Sequence, residues 1–312
     1  MRDISALLAE VGRGSYLSIA RALTLVENDL EGSEELLHHL TIDHSVPVIG
    51  VTGPPGAGKS TLVGALIQQL LLSSKKIAVL AVDPTSAFNK GALLGDRIRM
   101  SSHFNHPNVF IRSVATRGVF GGLSAKIIEM ADVLRAADFD YIIIETVGVG
   151  QTEIEISALA DITVVVLVPE SGDGIQHIKS GLMEIADIFV VNKADREGAD
   201  SFANELQKVV HYQAAEVPVF KTAADKSIGV EELFGYIVGL GARENEQKIR
   251  LYTEKAYRLI QYKRMKDIDK KDLNKKLTEA CIKDDFNLYN FITAYLSLIV
   301  ASDVIKRRLT RS

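Results

Sequence analysis

The chain has 312 residues, a hydrophobic fraction of 47%, a net charge of −4 and a pI near 6.0. This composition predicts a folded protein with a substantial core, and it argues against a disordered chain or a strongly basic nucleic-acid binder. The single cysteine, Cys281, excludes an intrachain disulfide and a multi-cysteine zinc site. We expect a soluble, cytoplasmic protein without a membrane partner, because the sequence shows no signal-peptide pattern and no run of about eighteen apolar residues.

The order of apolar patterns predicts an α/β fold in three parts. Residues 1–45 show helical spacing and predict an N-terminal helical extension. Residues 46–242 alternate helical patterns with short β-branched runs, at 46–53, 76–83, 108–114, 140–148, 161–170, 187–195 and 217–223. Such runs are typical of strands buried on both faces, so they predict a mostly parallel, doubly wound sheet. Residues 243–312 are rich in Glu, Lys, Arg and Leu and predict a C-terminal helical arm.

The first strand run leads directly into a glycine-rich loop, GPPGAGKST. The loop matches G-x-x-x-x-G-K-S, and its backbone N–H groups, with the following helix N-terminus, are suited to bind phosphate oxygens. In this pattern Lys59 reaches the β- and γ-phosphates, and the Ser60 hydroxyl is a ligand of Mg²⁺. The predicted phosphate-binding residues are therefore Gly53, Pro54, Pro55, Gly56, Ala57, Gly58, Lys59, Ser60 and Thr61.

A second motif indicates which base the nucleotide carries. The run at 187–195 ends in Asn192-Lys193-Ala194-Asp195, at the strand end where open α/β sheets bind ligands. The Asp195 carboxylate can accept from two adjacent donors of guanine, which adenine lacks. Asn192 can also bond the base, and the Lys193 stem can lie along its face. The loop Thr222-Ala223-Ala224 can offer a backbone amide to the guanine oxygen. The pattern therefore favours GTP and GDP over ATP.

Three carboxylates are candidates for the metal environment. Glu145, in IIIETVGVGQ, stands where D-x-x-G motifs have Asp, and Gly148 of the same motif can offer its N–H to a γ-phosphate. Asp83 ends a strand run, and Asp96 lies in a loop, where a solvated position or a helix cap is an equal alternative. Mg²⁺ needs few carboxylates, so the sequence leaves open which of them are direct ligands.

The residues after this motif predict slow catalysis. Val149 stands where small signalling GTPases have a water-positioning Gln, and Gln151 is two places further on. We therefore expect slow intrinsic GTP hydrolysis that rises when a partner completes the site. The candidate catalytic residues are Lys59, Glu145 and Gln151.

Several motifs together resemble the MeaB/ArgK family, the G-protein chaperones of adenosylcobalamin-dependent methylmalonyl-CoA mutase. They are GPPGAGKST, VDPTSAFNKGALLGDRIRM, RGVFGGLS, ETVGVGQ, VPESGDGIQHIKSG and NKAD. The resemblance covers nearly the whole chain and implies a SIMIBI-like P-loop GTPase, with Asp83, Asp96 and Glu145 around Mg²⁺. It implies switch segments at 83–100 and after Gly148, and a further one at 171–181, in which Gln176 and Lys179 are the polar residues of interest.

The same resemblance implies partners. A homodimer would form through the C-terminal arm, and a cobalamin-dependent acyl-CoA mutase would be loaded, protected or reactivated. Which mutase is the client, and whether a cobalamin adenosyltransferase takes part, stay open. The arm carries one apolar stripe, which fits an internal core as well as an interface, formed by Leu288, Ile292, Tyr295 and Ile299.

Two alternatives share the P-loop. A metal-insertion GTPase of the nickel-enzyme maturation type usually carries clustered Cys and His, whereas here the single Cys281 lies far along the chain from His38, His39 and His44. A small-molecule kinase of P-loop type fits the glycine-rich loop, but N-K-x-D opposes it.

Overall fold

The computed structural model describes residues 3–83, 100, 103–115, 126–146, 156–157, 159–169, 180–212 and 217–241, and in the C-terminal part 253, 256–257, 259–261, 264–265, 268–281 and 286–296. The chain divides into two compact units, Met1–Lys248 and Ile249–Ser312. The three-part division made from the sequence, with boundaries at 45 and 242, stays a prediction.

The first unit is built on a parallel sheet of seven strands in the order β3-β2-β4-β1-β5-β6-β7. The strands are β1 (Val48–Thr52), β2 (Ile77–Asp83), β3 (Val109–Ala115), β4 (Tyr141–Glu145), β5 (Ile162–Leu167), β6 (Ile188–Asn192) and β7 (Val219–Thr222). The helices are α1 (Ile4–Gly12), α2 (Tyr16–Glu27), α3 (Ser33–His38), α4 (Lys59–Leu72), α5 (Ile127–Arg135), α6 (Ser180–Ile185), α7 (Ala199–Tyr212) and α8 (Val230–Leu240). The predicted α/β fold with a parallel sheet and flanking helices is confirmed.

The central strands of the sheet are buried on both faces. Every residue of β1, β5 and β6 is buried, so these segments carry apolar side chains without alternation. On one face, residues such as Ile49, Val51 and Val164 pack with α4 and α8. On the other face, Val48 and Ile144 join a cluster with α1, α2, α3 and α5, while α6 and α7 cover β5 and β6. With both faces covered, a ligand can approach this part of the sheet only at the ends of its strands.

The three N-terminal helices belong to this core. In α2, Ile19, Ala22, Leu23 and Val26 recur at helical spacing and are all buried. The helix is also tied to β3, since Nη2 of Arg112 donates to Oε2 of Glu27 at 2.6 Å.

A buried ion pair closes the amino-terminal ends of the central strands. Oδ2 of Asp161, just before β5, accepts from Nη2 of Arg135 at 2.6 Å and from the backbone N–H of Val48 at 2.8 Å. Arg135 is 5% exposed and Asp161 is 1% exposed. This edge is therefore held by structural contacts, which leaves the carboxyl-terminal edge for a ligand.

The second unit contains α9 (Lys270–Cys281) and helical residues at 288–296. The Tyr295 ring is buried, stacks with Phe291 at 5.9 Å between centroids, and lies 5.3 Å from the Lys276 ammonium. In the part of the chain that the structure describes, none of the helices combines the length and the apolar character needed to cross a bilayer.

Candidate functional site

The predicted site residues meet at the carboxyl ends of the parallel strands. β1 runs into the glycine-rich loop, β4 ends at Glu145, β6 ends at Asn192 and β7 ends at Thr222. β1 lies between β4 and β5 and pairs with both. From β1 the chain continues to β2 on one side, and from β4 it continues to β5 on the other side, so the strand order reverses next to β1. Open α/β sheets bind ligands in the crevice at such a point.

The glycine-rich loop has a conformation that requires glycine at two positions. Gly53 has φ +139° and a Cβ there would lie 2.0 Å from the carbonyl oxygen of Val166. Gly58 has φ +87° and a Cβ there would lie 2.3 Å from Nδ2 of Asn192. Immediately afterwards α4 begins at Lys59. The N–H groups of a first helical turn lack intrahelical acceptors, so they are available to phosphate oxygens.

Lys59 and Ser60 are buried at the start of α4. The ammonium of Lys59 donates to the carbonyl oxygens of Gly53 at 2.9 Å and Pro54 at 3.1 Å, so it already contacts the loop. The Ser60 hydroxyl donates to Oε1 of Glu145 at 2.6 Å. The predicted metal-side residues from two distant parts of the chain are thus in direct contact.

The donor set at this contact fits Mg²⁺. Hydroxyl and carboxylate oxygens are the hard ligands that Mg²⁺ prefers. Asp83 ends β2, the strand paired with β4, and Ala81 is the partner of Glu145 in the register, so the backbone brings Asp83 to the same edge. Asp96, Gly148 and Gln151 lie outside the described residues, as do Gln176 and Lys179.

Two threonines next to the motifs were not identified from the sequence. The Thr146 hydroxyl donates to the Thr52 hydroxyl at 2.9 Å, and both residues are almost fully buried. The backbone N–H of Thr146 also donates to the carbonyl oxygen of Val51 at 3.0 Å. The start of the E-T-V-G segment is therefore fixed to the end of β1. Only their positions beside Gly53 and Glu145 hint at this role.

Asn192 links the glycine-rich loop to the loop after β7, which is predicted to bind the base. Its Nδ2 donates to the carbonyl oxygen of Ala57 at 2.9 Å. Its Oδ1 accepts from the Thr222 hydroxyl at 3.1 Å and from the backbone N–H of Ala224 at 3.2 Å. Asn192 is 2% exposed. The structure therefore shows its amide bonded to the protein, and the bond from Asn192 to the base stays a prediction.

The rest of the N-K-x-D segment is less buried than Asn192. Lys193 has φ +57°, a left-handed conformation that is uncommon outside glycine and is often found at functional sites. Asp195 is exposed, and its Oδ2 accepts from Nζ of Lys226 at 2.6 Å. Lys226 lies just beyond Thr222, Ala223 and Ala224 and belongs to no motif, so no sequence pattern indicated this residue.

A solved structure supports the fold. The crystal structure described as LAO/AO transport system kinase superposes with a TM-score of 0.65 at 24% identity, covering 99% of this chain and 96% of that chain. This likeness shows the fold alone.

Relatives and a family model identify the class of protein. A Pyrococcus abyssi protein named as a GTPase is 46% identical over 242 residues, 75% of each chain. A fused isobutyryl-CoA mutase of Cupriavidus metallidurans is 38% identical over 251 residues, which are 76% of this chain and 23% of that protein. The model of the methylmalonyl-CoA mutase-associated GTPase MeaB matches residues 19–280. The chain therefore belongs to the MeaB family of mutase-associated, guanine-nucleotide-binding P-loop GTPases.

Proposed function

We propose that this protein is a Mg²⁺-dependent GTP hydrolase that acts as a chaperone of a cobalamin-dependent acyl-CoA mutase, gating cofactor loading and protecting or reactivating the enzyme. One observation carries the nucleotide part of the proposal. The phosphate loop, the Ser60–Glu145 pair and the N-K-x-D segment meet at one edge of the sheet. Family membership and the fused relatives support the mutase part.

Lys59 is the residue proposed to act on the phosphates. Its ammonium now donates to two loop carbonyls, and phosphate oxygens would replace them as acceptors. A fixed cation beside the β- and γ-phosphates stabilises the charge that develops on their oxygens during transfer. Lys59→Ala is therefore expected to abolish hydrolysis while the fold, held by the buried sheet, remains.

Ser60 and Glu145 are proposed to hold the metal. Bound Mg²⁺ neutralises charge on the β- and γ-phosphate oxygens. Ser60 would be a direct ligand, and Glu145, which accepts from its hydroxyl, orients that ligand. We expect Ser60→Ala to remove most of the dependence of GDP affinity on Mg²⁺, measured as the ratio of dissociation constants with and without the metal. An unchanged ratio would contradict this assignment.

Asp195 is proposed to select guanine. Its carboxylate is exposed at the end of the β6 loop, and the neighbouring loop after β7 is bonded to the same Asn192. Asp195→Asn presents an amide that can donate to the oxygen of xanthine. We expect affinity to shift from GDP towards xanthosine diphosphate. If GDP affinity stays unchanged, Asp195 does not read the base.

The client is tested by hydrolysis assays with two mutases. The family description names methylmalonyl-CoA mutase, and the fused relatives join a similar segment to an isobutyryl-CoA mutase. We expect slow turnover by the protein alone and a large rise on adding the client, with the Lys59→Ala protein as the control. Fast turnover by the isolated protein would contradict slow intrinsic hydrolysis. No rise with either mutase would point to another partner, and a cobalamin adenosyltransferase is the next one to add.

The C-terminal unit is proposed to form a homodimer. Leu288 is 46% exposed and Ile292 is 44% exposed, whereas Tyr295 is buried and stacks with Phe291. Ile299 lies outside the described residues. The predicted stripe is therefore part core and part exposed apolar surface, and a second copy would cover the exposed part. We expect light scattering to report a dimer and Ile292→Glu to give a monomer that still binds GDP.

A further inference from the structure

The carboxylate proposed to read the base is already engaged by a lysine. Nζ of Lys226 donates to Oδ2 of Asp195 at 2.6 Å. The two residues come from different loops, one after β6 and the other after β7. The Lys226 side chain is 53% exposed and that of Asp195 is 32% exposed, so the pair lies at the surface where the base would approach.

The loops themselves are fixed by other contacts. The backbone N–H of Ala194 donates to the carbonyl oxygen of Thr222 at 2.9 Å. Buried Asn192 accepts from the Thr222 hydroxyl and from the N–H of Ala224. These contacts do not involve Lys226, so its removal leaves both backbones held. What Lys226 adds is a constraint on the side chain of Asp195.

The chemistry of a carboxylate allows both partners at once. An ionised carboxylate has two oxygens with about four acceptor sites. Guanine offers one ring N–H and one amine N–H, which occupy one site on each oxygen and leave a further site on Oδ2 for the ammonium. The hydrogen bond from Lys226 also holds the pKa of Asp195 below its ordinary value, which keeps the group an acceptor.

We propose that Lys226 is a positioning residue for base recognition, which holds the Asp195 carboxylate so that both oxygens meet the guanine edge together. The inference rests on the proposed function, in which Asp195 selects guanine. A short side chain on an exposed turn otherwise rotates freely, and ordering it in advance lowers the entropy cost of binding.

The test compares GDP with inosine diphosphate, which lacks the exocyclic amine and therefore uses only one of the two hydrogen bonds. In Lys226→Gln we expect GDP affinity to fall about threefold to fivefold, the scale of one exposed charged contact, and inosine diphosphate affinity to fall less. The ratio of the two dissociation constants then moves towards one. Lys226→Arg keeps a charged donor and is expected to retain most of the wild-type ratio.

Lys221→Gln is the matched control. Lys221 lies on β7 and pairs with Asp200 at 2.7 Å, also at the surface, without contacting Asp195. The Lys221→Gln substitution also removes one positive charge from this part of the surface, and we expect it to leave the ratio of the GDP and inosine diphosphate dissociation constants unchanged.

Two results would overturn the proposal. Equal losses for both nucleotides in Lys226→Gln would indicate general electrostatics, and tighter GDP binding would show that Lys226 competes with the base. A different variant, Asp195→Asn, tests the proposed function on which this inference rests. If Asp195→Asn leaves GDP affinity intact, Asp195 does not select guanine, whatever Lys226 does.

Discussion

Replacing Asn192 by alanine tests whether this residue serves the fold or the base. The substitution removes three hydrogen bonds, those to the carbonyl of Ala57, the hydroxyl of Thr222 and the N–H of Ala224. All three join protein groups to each other. The damage is therefore expected in the nucleotide-free protein, before any base is bound.

The size of the effect follows from burial. Asn192 is 2% exposed and Thr222 is fully buried. A buried polar group that loses its partner costs about 1–3 kcal/mol, and the Thr222 hydroxyl can rotate to find another acceptor. We therefore expect Asn192→Ala to lower the free energy of unfolding by about 3–5 kcal/mol, a large share of the roughly 5–15 kcal/mol of a typical domain.

Urea unfolding of the nucleotide-free protein measures this loss. Thr222→Val is the matched control, because it removes one of the three bonds and keeps the shape of the side chain; we expect about 1 kcal/mol. The reasoning is refuted if Asn192→Ala unfolds at the wild-type urea concentration while GDP binding is lost. That result would mean that Asn192 acts on the base, as the sequence motif suggested.

Three further predictions follow from other contacts. Gly58→Ala places a Cβ 2.3 Å from Nδ2 of Asn192 and is expected to reduce GDP affinity more than tenfold, about 1.4 kcal/mol or more. Gly56→Ala is the control, because Gly56 has φ +78° and nothing within 4 Å, so only backbone strain is expected there. Equal losses of GDP affinity for the two variants in calorimetry would contradict the clash at Gly58. Arg135→Met leaves the buried Asp161 without its guanidinium counter-ion and is expected to cost about 3–5 kcal/mol of unfolding free energy, and a neutral result in urea would contradict a structural role. Burial lowers the pKa of His103, so the folded state favours the neutral ring, and stability is lost as the pH falls through the unfolded pKa of about 6.5. His103→Gln should therefore lose less stability than wild type between pH 7 and pH 5.

The strands were predictable because strands that are buried on both faces carry continuous apolar residues. The apolar run at 187–195 has no alternation, and the structure places β6 at Ile188–Asn192 within it. The predicted run extends past the end of the strand, because Lys193 takes a left-handed conformation that ends β6 at Asn192. A motif letter carries no information on that backbone angle.

The contacts of the site were less predictable than its residues. The N-K-x-D motif identified Asn192, but its bond to Ala57 joins positions 135 residues apart and crosses from β6 to the loop after β1. Such a contact depends on strand order and on the exact path of the loop. Lys226 was missed for a related reason, because an exposed lysine in a turn resembles any solvated lysine until the fold brings it to Asp195.

The arrangement of these contacts separates two tasks of the site. Asn192 joins the loops proposed to bind the base to the phosphate loop, so base and phosphates would be bound by one connected unit. GDP and GTP would both satisfy that unit, and we therefore expect it not to distinguish the two nucleotides. The two nucleotides differ at the γ-phosphate, which we expect on the side of Ser60 and Glu145, where Thr146 is fixed to β1 through Val51 and Thr52. A partner that responds to the nucleotide state is thus expected to act through the segment that follows β4. Variants in the loops after β6 and β7 should change nucleotide affinity without changing the partner's response to a bound nucleotide.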